Sequence, residues 1–175
     1  MIERAAHRLR QGLHALTAFA RPLDEAEAAA VLPLPLLGLF RRMRRSEQQH
    51  SLRVLRVLQA QGHTHPDLLA AALLHDVGKS RYPLTIFGRV MVVLARAAWP
   101  RQAAVWGAGE PRGWRRPFVI AQQHPIWSAE DVAAAGASPL VAALVRRHQE
   151  QLDAAARSEE DRLLALLQAA DAASD

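Results

Sequence analysis

Apolar residues recur along this chain at spacings of three and four, the period of an amphipathic helix, and no alternating run between hairpin turns interrupts them. The pattern predicts helices over residues 2–20 and 24–31, the second ended by Leu32-Pro33-Leu34-Pro35. A third helix is expected over 36–45, and Ser46 stands where it could cap a fourth over 47–61. In that fourth segment Leu52, Leu55 and Leu58 mark the inner face, and Gly62 stops it. His65-Pro66 opens a helix over 67–77 with Gly78 as its C-cap. Further helices are expected over 86–98, near 102–105, and over 125–135, 139–156 and 158–173, with Ser158 and Asp161 forming a capping box. The fold class is therefore all-α, a helical bundle. Residues 1–46 are expected as an N-terminal helical segment packed on a domain over 47–175. An insert at about 80–117 holds Trp99, Trp106, Trp114 and several prolines.

Two apolar runs bear on membranes. Residues 31–40 contain Pro33 and Pro35, and residues 86–99 carry Arg89 and Arg96, so both fall short of the ~20 residues that span a bilayer. The second reads as a core helix, with a helix lying on a membrane surface as the alternative. The first turns are broken by Glu3, Arg4, Arg8 and Arg10, which does not fit a secretory signal, and a cytoplasmic protein is expected.

Composition narrows the chemistry. The 175 residues include no cysteine, which excludes disulfides, thiolate metal sites and cysteine nucleophiles. The net charge of +5 favours an anionic partner. Aromatic residues make up only 5%, without the aromatic–basic interleaving of a nucleic-acid platform, so no specific nucleic acid is expected. Arg41-Arg42-Met43-Arg44-Arg45 reads as a solvated helix face, and Lys79 is the single lysine among 22 basic residues.

Of eight histidines, His7, His14, His63 and His65 read as surface or turn residues. The others fall into a different order: His50, the pair His75-Asp76, His124 and His148, followed by Asp171. In a helical bundle such spacing brings one ligand from each helix to a common interior point. The apolar run Leu68-Leu69-Ala70-Ala71-Ala72-Leu73-Leu74 leads into His75-Asp76, so a carboxylate there needs compensation, most economically from a metal cation.

The stretches Gln49-His50-Ser51-Leu52-Arg53-Val54, Leu73-Leu74-His75-Asp76-Val77-Gly78-Lys79, His124-Pro125-Ile126, Arg146-Arg147-His148-Gln149-Glu150 and Ala169-Ala170-Asp171-Ala172 follow one another in a known order. On them the chain resembles the HD-domain superfamily of metal-dependent phosphohydrolases. It is similar to the HD-GYP branch, which cleaves cyclic dinucleotides. It departs from that branch after His148, where Gln149-Glu150-Gln151-Leu152-Asp153 replaces a second histidine and the Gly-Tyr-Pro loop.

The resemblance implies two divalent ions, Fe, Mn or similar. His50, His75, Asp76 and Asp171 would hold one, and His124 and His148 the other, with Asp76 bridging. Asp161 and Asp175 are fallbacks for Asp171. It further implies metal-activated hydrolysis of a phosphate ester or anhydride in a small phosphorylated molecule, a nucleotide or cyclic dinucleotide. Asp76 and Lys79 would be the catalytic groups, and Lys79, Arg53 and Arg147 the phosphate-binding cations. The alternatives are an inactive metal-binding regulatory module and a di-iron oxygenase.

Overall fold

The computed structural model describes residues 23–82, 84–152 and 158–174. The helix expected over 2–20, with His7 and His14, lies outside them, as does Asp175. The described residues form nine α-helices and no strand: α1 (Glu25–Val31), α2 (Leu34–Arg42), α3 (Arg45–Ala60), α4 (Pro66–Leu74), α5 (Ile86–Ala98), α6 (Pro100–Trp106), α7 (Arg116–Ala134), α8 (Pro139–Arg147) and α9 (Glu159–Ser174). Two 3-10 segments, Val77–Arg81 and Gly113–Arg115, complete them.

One apolar core joins α1–α4 to α7–α9. Phe40, Leu55, Leu58, Leu73, Leu74, Leu144 and Leu164 are completely buried in it. Helix α3 lies between α4 and α9, α4 packs on α8, and α7 runs along α8 and over the 3-10 turn. Helices α5 and α6 pack on each other and on α7 through a separate small cluster of Val92, Ala95, Ala103 and Phe118.

Several boundaries differ from expectation for local reasons. Helix α2 starts at Leu34 because Pro35 fits its first turn, where a missing N–H costs nothing. It stops at Met43, which is extended (ψ 154°) and buried, so the basic run is split between two helices. Arg41 pairs with Glu25 at 2.8 Å and Arg44 donates to Leu84 O at 2.7 Å, which occupies both in holding the structure together. Ser46 is inside α3 rather than capping it; Arg44 takes the N-cap position without a side-chain bond. The expected capping box does form: Ser158 Oγ accepts from Asp161 N at 3.0 Å.

Pro125 does not begin a helix but sits inside α7. A proline there leaves the carbonyl four residues back, Ala121 O, without its helical donor. The Arg96 guanidinium of α5 supplies one at 3.1 Å. Helix α8 ends at Arg147, well before residue 156, because Gln168 Nε2 from α9 reaches His148 O at 3.1 Å and Glu150 O at 2.8 Å. A side chain from another helix thereby satisfies acceptors that a continuing helix would have used.

Gly78 is the most consequential correction. Helix α4 ends at Leu74, and Gly78 lies in the following 3-10 turn rather than at a C-cap. Its N–H donates to Ser128 Oγ at 2.8 Å, and an added Cβ would stand 2.4 Å from His124 O and 2.7 Å from Ser128 N. The turn can approach α7 this closely only without a side chain. Gly78→Ala is therefore expected to cost about 3 kcal/mol, the upper end for an overpacked site, because backbone must move. Thermal unfolding of the variant measures this, and an unchanged midpoint would contradict the contact.

Candidate metal centre

The histidines and aspartates come from five different segments and meet at one end of the bundle. His50 is on α3, one turn after buried Glu47. His75 is the C-cap of α4, and Asp76 opens the 3-10 turn at φ −100°, ψ 2°. His124 is midway along α7, His148 is the C-cap of α8, and Asp171 is in the last turns of α9. The end of a helix lets a side chain point along the bundle axis, toward the common cleft, rather than sideways into a neighbour.

Two groups of three donors result: His50, His75 and Asp171, and Asp76, His124 and His148, with the donor atoms within each group no more than 4.8 Å apart. Asp171 Oδ1 lies 2.8 Å from His50 Nε2 and 3.6 Å from His75 Nε2. Asp76 Oδ1 lies 3.1 Å from His124 Nε2 and 3.9 Å from His148 Nε2, while its Oδ2 lies 3.7 Å from His75 Nε2. Asp76 therefore touches both groups. Two donors on one ion, each about 2.1 Å from it, stand about 3–4 Å apart, so these separations suit a metal.

The ring orientations give an independent test. The Nδ1 atoms of His75, His124 and His148 lie 3.0, 2.9 and 2.7 Å from the carbonyls of Ala72, Ile120 and Val145. A carbonyl only accepts, so each Nδ1 carries the proton and each Nε2 is left with its lone pair facing the cluster. Metal-ligating histidines are oriented in this way. Among the described residues His75 Nε2 is buried with no hydrogen-bond partner, and His124 Nε2 approaches His148 Nε2 at 3.3 Å. Lone pairs that face one another, and one with no partner at all, leave a deficit that a cation would meet. The residues fit a divalent metal.

The electrostatics agree. Burial holds the His75, His124 and His148 imidazoles below their ordinary pKa, to about 4 for His148, so all three are neutral and able to ligate. Burial alone would raise the Asp76 carboxyl, but the Lys79 ammonium beside it holds it well below the usual range. Asp171 is lowered by its bond to His50 against the same burial effect.

Lys79 reaches Asp76 Oδ2 at 2.5 Å. A 3-10 helix repeats every three residues, so the turn that follows α4 sets Lys79 directly over Asp76. With His50, Asp76, His148 and Asp171 it lines a cleft of about 210 Å³, completed by Ser46, Glu47, Arg89 and Gln149.

The other two expected phosphate ligands are not at the cleft. Arg147 is drawn to three carboxylates that raise its pKa, Glu150 at 2.9 Å, Glu160 at 2.5 Å and Asp161 at 2.9 Å, the last two fastening α8 to α9. The same contact explains why Asp161 does not substitute for Asp171. Arg53 donates from Nε to Ser174 O at 3.1 Å, near the end of α9. His65 has a local task, its Nδ1 accepting from Asp67 N at 3.2 Å to start α4.

Two cleft residues escaped sequence reasoning. Glu47 is almost fully buried, with Oε1 accepting from Arg89 Nη2 at 2.7 Å and Oε2 without a partner among the described residues. Its signal was an acid three residues before His50, on the same helical face. Arg89, arriving from α5, had no such signal.

A family model described as HD domain matches residues 48–174. The chain belongs to the HD-domain family, an all-α family whose members are mostly metal-dependent hydrolases. Comparison with curated proteins and with solved structures returned no match. Among the described residues, no helix is long and apolar enough to cross a membrane.

A depressed histidine pKa has a definite consequence for stability. Between pH 6.5 and about 4 the unfolded chain protonates His148 while the folded one does not, so folding weakens as pH falls through that window. A depression of this size corresponds to about 3 kcal/mol, with His75 and His124 acting in the same direction. Metal-stripped protein should therefore lose thermal stability steadily from pH 7 to pH 4.5, and adding divalent metal at pH 7 should raise the midpoint. A flat midpoint across that range would show that the imidazoles are not buried neutral.

Proposed function

We propose that this chain is a phosphohydrolase that uses two divalent ions to cleave a phosphate ester or anhydride of a nucleotide or cyclic dinucleotide. The observation that carries the reading is the set of imidazoles whose Nδ1 protons are directed to backbone carbonyls, leaving Nε2 lone pairs to converge on Asp76. On this reading His50, His75, Asp76 and Asp171 hold one ion and Asp76, His124 and His148 the other. Bound there, the ions would lower the pKa of a water and neutralise charge on the phosphoryl oxygens.

The remaining work falls to side chains of the cleft. In the protein without cations, Lys79 compensates the buried Asp76 charge. Once cations supply that compensation, its ammonium is released to a phosphate oxygen at the cleft surface. Arg89 stands beside it as a second phosphate ligand, oriented by buried Glu47. Arg53 and Arg147 drop out of that role, since both are drawn elsewhere. Within residues 1–46, α1 and α2 share the core of the catalytic part over 47–175, with 80–117 as its insert. Gln149 lines the cleft where the HD-GYP branch carries a second histidine, so the pocket is expected to select a different phosphate compound.

The test is anaerobic purification, metal quantitation, and a screen of nucleotides and cyclic dinucleotides. Asp76→Asn should lower kcat at least about a thousandfold, since it strips charge from both ion sites. Lys79→Ala should lower kcat/KM about 10–100-fold, the value of one charge-assisted hydrogen bond. Equal rates for wild type and Asp76→Asn would refute the assignment. Metal without turnover would indicate a regulatory module, and turnover that requires O₂ an oxygenase.

A further inference from the structure

The helix α5 is amphipathic in an inverted sense. Ile86, Phe87, Val90, Val93 and Leu94 are exposed, Ile86 by 80% and Phe87 by 73%. At 100° per residue these positions, with Ala97, fill one arc of roughly 120° that contains no polar side chain. The opposite arc, Gly88, Val92 and Ala95, is the one that packs inward. Isolated apolar residues at a surface are ordinary, but a continuous stripe of large ones marks a contact.

The charge of the molecule lies in the same segment. From Ile86 to Arg116 there are six arginines, Arg89, Arg96, Arg101, Arg112, Arg115 and Arg116, against one acid, Glu110. That balance of +5 equals the net charge of the whole chain, so the rest of the sequence is neutral on balance. Arg89 and Arg96 fall at one edge of the apolar arc, and Trp99, 62% exposed, follows directly after the helix. Trp114, also exposed, carries the Arg115 guanidinium over its ring at 5.3 Å. An apolar stripe, arginines and tryptophans at its margin and a length of 13 residues describe a helix that lies in a membrane interface rather than crossing it.

We propose that α5 and the basic residues around it bind the surface of an anionic lipid bilayer. The apolar arc enters the acyl boundary while the exposed Arg101, Arg112 and Arg115 meet lipid phosphates. Charge complementarity selects this occupant: a second copy of the same chain would bring +5 against +5. Because Arg89 is both on α5 and in the cleft lining, docking holds the metal centre at the membrane surface.

The experiment is flotation of the full chain with vesicles of phosphatidylcholine alone or with 30% phosphatidylglycerol, at low and high salt, alongside solution mass determination. The full chain should float with the anionic vesicles and much less with neutral ones or in high salt. Ile86→Ser/Phe87→Ser/Leu94→Ser should reduce vesicle binding at least about tenfold while keeping metal content and thermal midpoint. Arg101→Gln/Arg112→Gln/Arg115→Gln should reduce binding to anionic vesicles only, about tenfold or more. Failure of the full chain to float with anionic vesicles overturns the proposal, as does undiminished flotation of both variants. A wild-type dimer that the Ser variant turns into a monomer assigns the face to a second copy instead. Loss of flotation leaves the hydrolase reading intact, because turnover of a soluble phosphate compound is measured separately.

Discussion

The whole arrangement turns on one buried carboxylate. Asp76 stands among three imidazoles that burial keeps neutral, and a charge in such a place must be compensated or it unfolds its surroundings. Lys79 compensates it in the protein alone, and the geometry of the histidines fits cations in the same task. Holding that carboxylate in position accounts for much of the local architecture. Helix α4 has to stop at Leu74 so that His75 and Asp76 both turn into the cluster, and the 3-10 turn brings Lys79 over Asp76. Gly78 then allows the turn to rest against the backbone of α7, which carries His124.

The helices that carry the clustered histidines and aspartates are irregular where a purely stable bundle would be regular. Helix α7 runs through Pro125 and recovers the stranded Ala121 carbonyl from Arg96 of α5. Helix α8 is cut off at Arg147 so that His148 can cap it, and Gln168 of α9 satisfies the carbonyls so exposed. Arg147 then ties the same two helices through Glu160 and Asp161. Each irregularity is repaired by a polar side chain from a neighbouring element, so the ligands are held by contacts between helices rather than by any one helix. Such a site is rigid only when the bundle is assembled.

The segment α5–α6 stands apart energetically. It has its own small apolar cluster and two polar fastenings, Arg89 to Glu47 and Arg96 to Ala121 O. Both fastenings lead toward the metal centre, one to a cleft carboxylate and one to the helix bearing His124. Whatever the outer face of α5 meets is therefore mechanically close to the ligands. This is a coupling that the family pattern of histidines and aspartates does not contain.

The class of fold, the order of the six donor residues and the place of Lys79 were legible in the sequence. Helical period, rare donor residues and a short apolar lead into a charged pair are local properties, and local properties survive without coordinates. Boundaries were legible only where a cap is made by neighbouring residues, as at Ser158 and Asp161. Helix ends made by distant groups, such as Gln168 closing α8, were not. The partners of the arginines were not legible either, because a guanidinium reaches whichever acid the fold brings near it. Arg147 beside His148 in sequence points to Glu160 and Asp161 in space, while Arg89, far from every motif, reaches the cleft. The same holds for α5. An apolar stripe in a sequence states that a helix has a face to cover, but only the packing of the other helices decides which face the core receives and which remains outside.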